Sequence, residues 1–216
     1  MCLTELLPGR ERIASFDVDL QKGFTPLCPD ELPVPEGDRI EGELNALARH
    51  AALRVGSKDA HPANASWVAD DNHPPLSPIE GDNMDLRWPV RAVPGTRGFE
   101  LLDGLPHPSR YDFFVWKGVE PDMHPYNACF HDFARRLSTG LVEFLRAHGI
   151  EAVIVGGLAT DYCVKSNVLE LRRAGFRVIV NEAAERGVAL DTTRAAPDEC
   201  RAPAPNSSPL PRPCQP

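Results

Sequence analysis

The stretch EAVIVGGLATDYCVKSNVLELRRAGFRVIV, residues 151–180, decides the fold. It begins with an apolar run at residues 151–155, which has the length and composition of a strand buried on both faces of a sheet. A helix is predicted over residues 160–174, and Gly175 provides a suitable end for it. A second strand is predicted at residues 177–180. A strand, a helix and a strand in this order predict two parallel neighbours in one sheet.

The same alternation of strand and helix precedes this stretch. Strands are predicted at residues 12–19, 53–57 and 111–116. A helix is predicted between the first two, where apolar residues recur at helical spacing: Ile40, Leu44, Leu47 and Ala51. A further helix ending at Gly149 is predicted from five apolar residues that share one face: Phe130, Phe133, Leu137, Leu141 and Leu145. We therefore expect a three-layer α/β/α domain with a mainly parallel sheet of roughly six strands.

Length and composition fit one compact domain with a buried core, because the chain has 216 residues and 42% of them are apolar. Residues 1–200 are predicted to form this domain. Residues 201–216 are rich in proline and have no apolar periodicity, which predicts a disordered tail. The helical pattern ends near Cys200, so we expect the final strand of such a sheet to be missing or altered.

Charge and cysteine usage exclude several classes of protein. The formal net charge of -8 and the absence of clustered Lys and Arg argue against a nucleic-acid partner. No apolar run is long enough to cross a bilayer, and residues 1–13 are too charged for a secretory signal. The six cysteines are scattered along the chain. We therefore expect a cytoplasmic protein with free thiols and no membrane partner.

Three side chains suited to covalent amide hydrolysis each follow a predicted strand: Asp19, Lys117 and Cys163. The carboxyl ends of parallel strands meet at one edge of the sheet, so we expect these side chains to converge. Cys163 lies in the first turn of a predicted helix, which should lower the pKa of its thiol and make it the fastest cysteine to alkylate. Asp19 is expected to accept the thiol proton, with Lys117 holding the charges in place.

An oxyanion hole is predicted in the same turn, from the backbone N–H groups of Ala159 and Cys163. Each of the three catalytic candidates also has an ordinary structural explanation when it is taken alone. A lone cysteine near a helix start is often a packing residue, and an Asp after a strand is often a turn residue. The catalytic interpretation therefore depends on the combination of the three.

Several segments resemble the isochorismatase-like cysteine hydrolases: DLQKGF at 19–24, SKDAH at 57–61, WP at 88–89 with GT at 95–96, WKG at 116–118 and GLATDYCV at 157–164. The resemblance covers residues 13–191. It implies the triad Asp19, Lys117 and Cys163 and a cis peptide between Leu158 and Ala159. It also implies an amidohydrolase of the nicotinamidase type, which converts nicotinamide to nicotinate and ammonia through a cysteine thioester.

The resemblance further implies a divalent metal (zinc, iron or manganese) that ligates the ring nitrogen of the substrate. Asp59 and His61 match two of its ligands, and an Asp and a His two residues apart can face one ion. Arg91 stands where the family's next histidine ligand is usual, with Ala92 in place of a cysteine. Arginine does not ligate metals, so His73 is the candidate for the missing ligand.

Arg91 leaves two alternatives open. The first is a metal-free amidohydrolase of the same fold whose substrate carries a carboxylate, such as an N-carbamoyl amino acid or maleamate. The second is a degenerate, inactive family member. Phe24, Trp88 and Tyr126 are expected either to line a pocket for a flat ring or to be ordinary core residues. The expected partner is a small-molecule amide, and the resemblance is also compatible with a homo-oligomer.

Overall fold

The computed structural model describes residues 7–201. Five strands form one sheet: β1 (Ile13–Val18), β2 (Leu53–Asp59), β3 (Phe113–Lys117), β4 (Ala152–Leu158) and β5 (Arg177–Arg186). Their order is β3-β2-β1-β4-β5, and every neighbouring pair is parallel. The predicted parallel α/β fold is confirmed, and the described residues contain five of the roughly six strands expected.

Helices cover both faces of the sheet: α1 (Glu41–Ala48), α2 (Leu141–Ala147), α3 (Lys165–Arg173) and α4 (Leu190–Arg201). The central strand β4 shows how the layers are arranged. Val153 and Val155 pack in the cluster that contains residues of α2 and α3. Ala152 and Ile154 point to the other face and pack beside Leu47 of α1. A strand buried on both faces needs apolar residues at every position, which explains the continuous run in the sequence.

The helix predicted to precede Gly149 is shorter than expected. Residues 130–140 form a loop, and α2 begins only at Leu141. Gly140 has a φ of 88°, a left-handed conformation that a continuous helix does not contain. The Asp132 carboxylate accepts hydrogen bonds from two backbone N–H groups later in the same loop. Phe133 stacks on Tyr126. Its place in the apolar pattern therefore reflects a contact between loops and not one face of a helix.

The chain makes a close backbone contact where β1 meets the end of β4. Gly157 pairs with Val18 and has a φ of 137°. A Cβ atom at position 157 would lie 2.1 Å from the Val18 carbonyl oxygen, so only glycine fits. The peptide bond between Leu158 and Ala159 is cis, as the family resemblance implies. The close contact between Gly157 and Val18 fixes the end of β1 against β4, the strand that leads to Cys163.

The C-terminal part of the structure ends with α4, which contains Pro197 and buries Ala196 against the domain. Within the described residues β5 is an edge strand. Most of the tail predicted to be disordered, residues 202–216, lies outside the described residues. The four described cysteines are free: Cys28, Cys129, Cys163 and Cys200. No helix within residues 7–201 combines the length and apolar character needed to span a membrane.

We expect Gly157→Ala to lower the free energy of unfolding by roughly 2–6 kcal/mol, because overpacking and backbone strain add at this position. Gly42→Ala in α1 is the matched control, since nothing lies within 4 Å of a Cβ atom there. That control should gain roughly 0.5–1 kcal/mol from helix propensity. Urea unfolding followed by circular dichroism measures both. Equal stability of the two variants would contradict the close contact.

Candidate active site

The carboxyl ends of the strands bring the three predicted catalytic residues together. Asp19 directly follows β1, Lys117 ends β3, and Cys163 lies in a π-helical turn, Thr160–Val164, after β4. The Lys117 ammonium lies 3.1 Å from Asp19 Oδ2 and 3.7 Å from Cys163 Sγ. It also donates to the carboxylate of Asp59, the last residue of β2. One ammonium group therefore contacts residues from the ends of three other strands.

The two carboxylates of this cluster differ in basicity. Burial raises the pKa of Asp19, and the attraction of Lys117 offsets only part of that shift. Burial also acts to raise the pKa of Asp59, but His61 and Lys117 together hold it well below its usual range. For Lys117, attraction to both carboxylates outweighs burial and raises the pKa of the ammonium. Asp59 is thus a fixed negative charge, and Asp19 is the better proton acceptor.

The prediction of a lowered pKa for Cys163 is wrong. Burial raises the pKa of this thiol well above its usual value, and the Asp19 and Asp59 carboxylates act in the same direction against Lys117. The sequence argument assumed a solvated first turn of a helix, whereas the turn around Cys163 is buried. Cys163 therefore keeps its proton until a base removes it, and fastest alkylation near neutral pH is not expected.

A narrow cavity opens beside the Cys163 thiol, and little more than a water molecule fits in it. All three aromatic residues predicted to contact substrate line it: Phe24, Trp88 and Tyr126. Trp88 Nε1 donates to the Tyr126 hydroxyl at 3.2 Å, which fixes two of these rings relative to each other. Ala159, the other oxyanion-hole candidate, lines the same cavity. The roles of these residues stay predictions.

A larger cavity, about 400 Å³, lies between α3, β5 and α4. It contains none of the predicted catalytic, substrate or metal residues. Its walls include Thr160 and Glu185, and burial raises the pKa of Glu185 to about 7. Of these two cavities, the smaller one is lined by the predicted nucleophile Cys163, so size alone does not identify the candidate site.

Asp59 and His61 form a donor pair suited to a divalent cation. His61 Nε2 lies 3.0 Å from Asp59 Oδ2, and both residues are buried. His61 Nδ1 lies 3.1 Å from the Gly118 carbonyl oxygen, which can only accept, so Nδ1 carries the hydrogen. When the ring is protonated, Nε2 donates to Asp59 and lowers the pKa of that carboxyl; in the neutral ring the Nε2 lone pair faces the carboxylate, and a cation between them would take the place of that proton. Metal-binding histidines are commonly oriented in this way by a backbone carbonyl.

The structure does not bring His73 to this pair, which corrects the prediction that His73 completes a metal site. His73 is 53% exposed, and its Nδ1 lies 2.9 Å from Asp70 Oδ1. The Asp70 carboxylate also accepts the backbone N–H of His73, so the two residues form a local surface turn. That turn satisfies the imidazole without any metal.

His124 is the site residue that the sequence reasoning missed. Its buried ring stacks on His61 with a centroid distance of 5.2 Å, and its Nε2 lies 2.6 Å from Arg91 Nη2. Because a guanidinium only donates, His124 Nε2 is the acceptor and its lone pair is occupied by Arg91. Burial and Arg91 lower the pKa of His124 well below its usual value. The one signal in the sequence was a histidine in the polar loop after Lys117.

These contacts determine how well the residues fit a metal. Asp59 and His61 supply two ligand atoms for a metal. The other nearby imidazole, that of His124, is hydrogen-bonded to Arg91 instead. Asp19, Asp59 and Cys163 also have ligand atoms within 4.8 Å of one another. The Lys117 ammonium lies among those atoms and competes with any cation there. Within the described residues, Asp59 and His61 can therefore supply two ligands to a divalent cation. Zinc usually takes four ligands.

Comparison with known proteins places this geometry in a family. Residues 16–203 match the isochorismatase domain. The chain is 36% identical to the nicotinamidase of Escherichia coli over 185 residues, which are 83% of this chain and 85% of that protein.

The fold is similar to that of several solved structures, two of which follow. One is the Acinetobacter baumanii nicotinamidase and pyrazinamidase, with a TM-score of 0.80, 30% identity and coverage of 88% of this chain and 92% of that one. The other is the pyrazinamidase of Pyrococcus horikoshii in complex with zinc, with a TM-score of 0.70, 29% identity and coverage of 88% and 94%. The chain belongs to the isochorismatase family.

Proposed function

We propose that this protein is an amidohydrolase that converts nicotinamide to nicotinate and ammonia, a step of NAD salvage. The observation that carries the proposal is the contact of one buried ammonium, that of Lys117, with both Asp19 and the Cys163 thiol beside an aromatic cavity. The similarity to nicotinamidases extends over most of the chain and supports the same activity. The similarity to nicotinamidases supports this activity over the carboxylate-bearing amide and the inactive member.

The proposed reaction has two stages. Cys163 Sγ attacks the amide carbon while its proton passes to Asp19, and the backbone N–H groups of Ala159 and Cys163 stabilise the oxyanion. Asp19 then returns the proton to the departing ammonia, which leaves a thioester on Cys163. In the second stage Asp19 accepts a proton from water, which attacks the thioester. Nicotinate leaves and the thiol regains its proton.

Asp19 is suited to this proton transfer by the way its two oxygens are occupied. Ser57 Oγ donates to Asp19 Oδ1 at 2.7 Å, which orients the carboxylate. Asp19 Oδ2 accepts no aligned hydrogen bond within residues 7–201, although Lys117 lies 3.1 Å away. That oxygen is therefore available for the thiol proton. Lys117 stabilises the negative charge that moves between Asp19 and Cys163 during the reaction.

We propose that Phe24, Trp88 and Tyr126 hold the pyridine ring. The ring is larger than the cavity, so substrate binding requires partly exposed side chains at its rim, such as Tyr162 and Val188, to move aside. Apolar walls bury the faces of a flat ring, and the few polar groups orient it. The cytoplasmic location and a homo-oligomeric state stay predictions.

A divalent metal in this chain would be held by Asp59 and His61. When bound, it would offer a Lewis-acid position to a lone pair of the substrate. Its identity as zinc, iron or manganese stays a prediction, although zinc is present in the related structure from Pyrococcus horikoshii. The proton transfers between Cys163, Asp19 and the leaving ammonia need only the residues of this chain.

We expect the purified protein to release one ammonia for each nicotinate formed from nicotinamide, as prepared and with added zinc, manganese or iron. A coupled ammonia assay and chromatography of nicotinate measure the two products. Cys163→Ala should abolish both products while the protein remains folded, because Cys163 carries the only thiol among the described residues of the cavity wall. An absence of ammonia under all metal conditions would reject the proposed function.

Asp19→Asn should reduce kcat by roughly 10²- to 10⁴-fold, because an amide side chain does not accept the thiol proton. Steady-state kinetics of ammonia release measure the effect. Asp70→Asn is the matched control: it neutralises a half-exposed carboxylate in the surface turn with His73. Its kcat should equal that of the unmodified protein. Near-normal kcat in Asp19→Asn would mean that another group is the base.

Lys117→Met should lower the free energy of unfolding by about 3–5 kcal/mol, because two buried carboxylates lose their counter-ion. The double variant Lys117→Met/Asp59→Asn should regain part of this loss, since one of the unpaired charges is removed. Urea denaturation of both variants and of the unmodified protein provides the comparison. A single variant as stable as the unmodified protein would show that the ammonium does not hold the cluster together.

A further inference from the structure

Arg91 is a buried cation for which the reaction described above has no use. Its side chain is 3% exposed and lines the same cavity as Cys163. The guanidinium carbon lies 4.9 Å from the ring centroid of Trp88, 5.3 Å from that of Trp67 and 5.6 Å from that of Phe24. Cation–π contacts of this kind stabilise a guanidinium away from water. The aromatic residues therefore hold a permanent positive charge at the cavity wall.

The hydrogen bonds of Arg91 leave a donor free. Nη2 donates to His124 Nε2 at 2.6 Å, and Nη1 donates to the Pro89 carbonyl oxygen at 3.3 Å. Nε has no partner among residues 7–201, although it is buried. An unpaired buried N–H is costly, so a site that keeps one is suited to a ligand that brings an acceptor. A guanidinium has only donors, which sets the chemistry of that ligand.

The charges around the cavity indicate whether this ligand is charged. Asp19 and Asp59 are the carboxylates that contact Lys117, and Lys117 and Arg91 are the cations beside Cys163. These formal charges cancel. An anionic ligand would add an uncompensated negative charge to this buried site. The balance favours a neutral ligand with a lone pair.

We propose that Arg91 is the specificity-determining residue of this site: its guanidinium donates a hydrogen bond to the uncharged ring nitrogen of nicotinamide while the carboxamide faces Cys163. This inference rests on the proposed function. In this chain the guanidinium then supplies the positive group beside Asp59 and His61, and His124 holds it in position. Substrates are selected for a neutral acceptor in the ring.

The test compares nicotinamide with benzamide, in which a C–H replaces the ring nitrogen and the shape is kept. Protein is stripped of metal by chelation, and its metal content is checked by mass spectrometry. We expect kcat/KM to favour nicotinamide by about 10- to 100-fold, the range for a hydrogen bond to a charged group. Arg91→Met should reduce this preference to near unity. Arg97→Met, an exposed arginine of the same loop, should keep it.

Two outcomes of this comparison would overturn the inference. One is a preference for nicotinamide that disappears on metal removal and returns with zinc. The other is a folded Arg91→Met variant that keeps the full preference. If Arg91→Met does not fold, as judged by thermal unfolding, Arg91→Lys tests the same point, because lysine keeps the charge but lacks the guanidinium N–H groups. We expect Arg91→Lys to lose most of the preference.

Calorimetry with the Cys163→Ala variant separates this inference from the proposed function. Failure of the unmodified protein to hydrolyse nicotinamide rejects the function, whereas the binding preference of Cys163→Ala still measures what Arg91 selects. We expect nicotinamide to bind about 10- to 100-fold more tightly than benzamide. Equal affinities would overturn the role of Arg91. Tighter binding of maleamate, which carries a carboxylate, would overturn the selection of a neutral acceptor.

Discussion

The buried ammonium of Lys117 is the interaction on which the rest of this site depends. It lies at the end of β3, an edge strand of the sheet formed by residues 7–201, and contacts Asp59 of β2, Asp19 after β1 and Cys163 after β4. Asp59 and Lys117 are also direct partners in the parallel ladder between β2 and β3. Removing one charge from a buried cluster leaves the others uncompensated, so the ends of these strands are fixed together. The arrangement that pairs the buried charges of Lys117, Asp19 and Asp59 is therefore the same arrangement that would place Asp19 and Cys163 for catalysis.

Desolvation, and not the helix dipole, sets the protonation of the nucleophile. A helix N-terminus favours a nearby negative charge by about 0.3–2 kcal/mol. Complete burial shifts a pKa by up to about 3–5 units, each worth about 1.4 kcal/mol. Cys163 is buried beside two carboxylates, so burial prevails and the thiol stays protonated. Burial also makes Asp19 more basic, and the same lack of water therefore creates both the need for a base and the base itself.

The sequence predicted the parts of the structure that depend on local patterns. Strands expected at residues 53–57 and 111–116 are found at Leu53–Asp59 and Phe113–Lys117. The convergence of Asp19, Lys117 and Cys163 was predictable because parallel strands place their carboxyl ends at one edge. The π-helical turn and the late start of α2 were not predictable from apolar spacing, since tertiary contacts and Gly140 decide them.

The surroundings of Arg91 depend on contacts between distant loops. His124 is 33 residues from Arg91 in the chain, and no spacing rule connects them. His73 is nearer in sequence and was the natural candidate for a ligand, but its bond to Asp70 holds it at the surface. The choice between these two histidines is made by burial, which sequence patterns do not report for a long polar loop.

The contact between Arg91 and His124 shows what a guanidinium and a metal ion have in common as the positive group of such a site. A metal ion needs lone pairs from several ligands, whereas a guanidinium needs acceptors for its N–H groups, and an imidazole lone pair serves both. With arginine present, His124 gives its lone pair to Nη2 and is lost as a metal ligand. Asp59 meanwhile remains a counter-ion for whichever cation is present. The difference lies toward the substrate, because a guanidinium offers a directional N–H while a metal offers an open coordination position. A neutral ring nitrogen is an acceptor for both, so replacing the cation changes how the ring is held without changing the chemistry at Cys163.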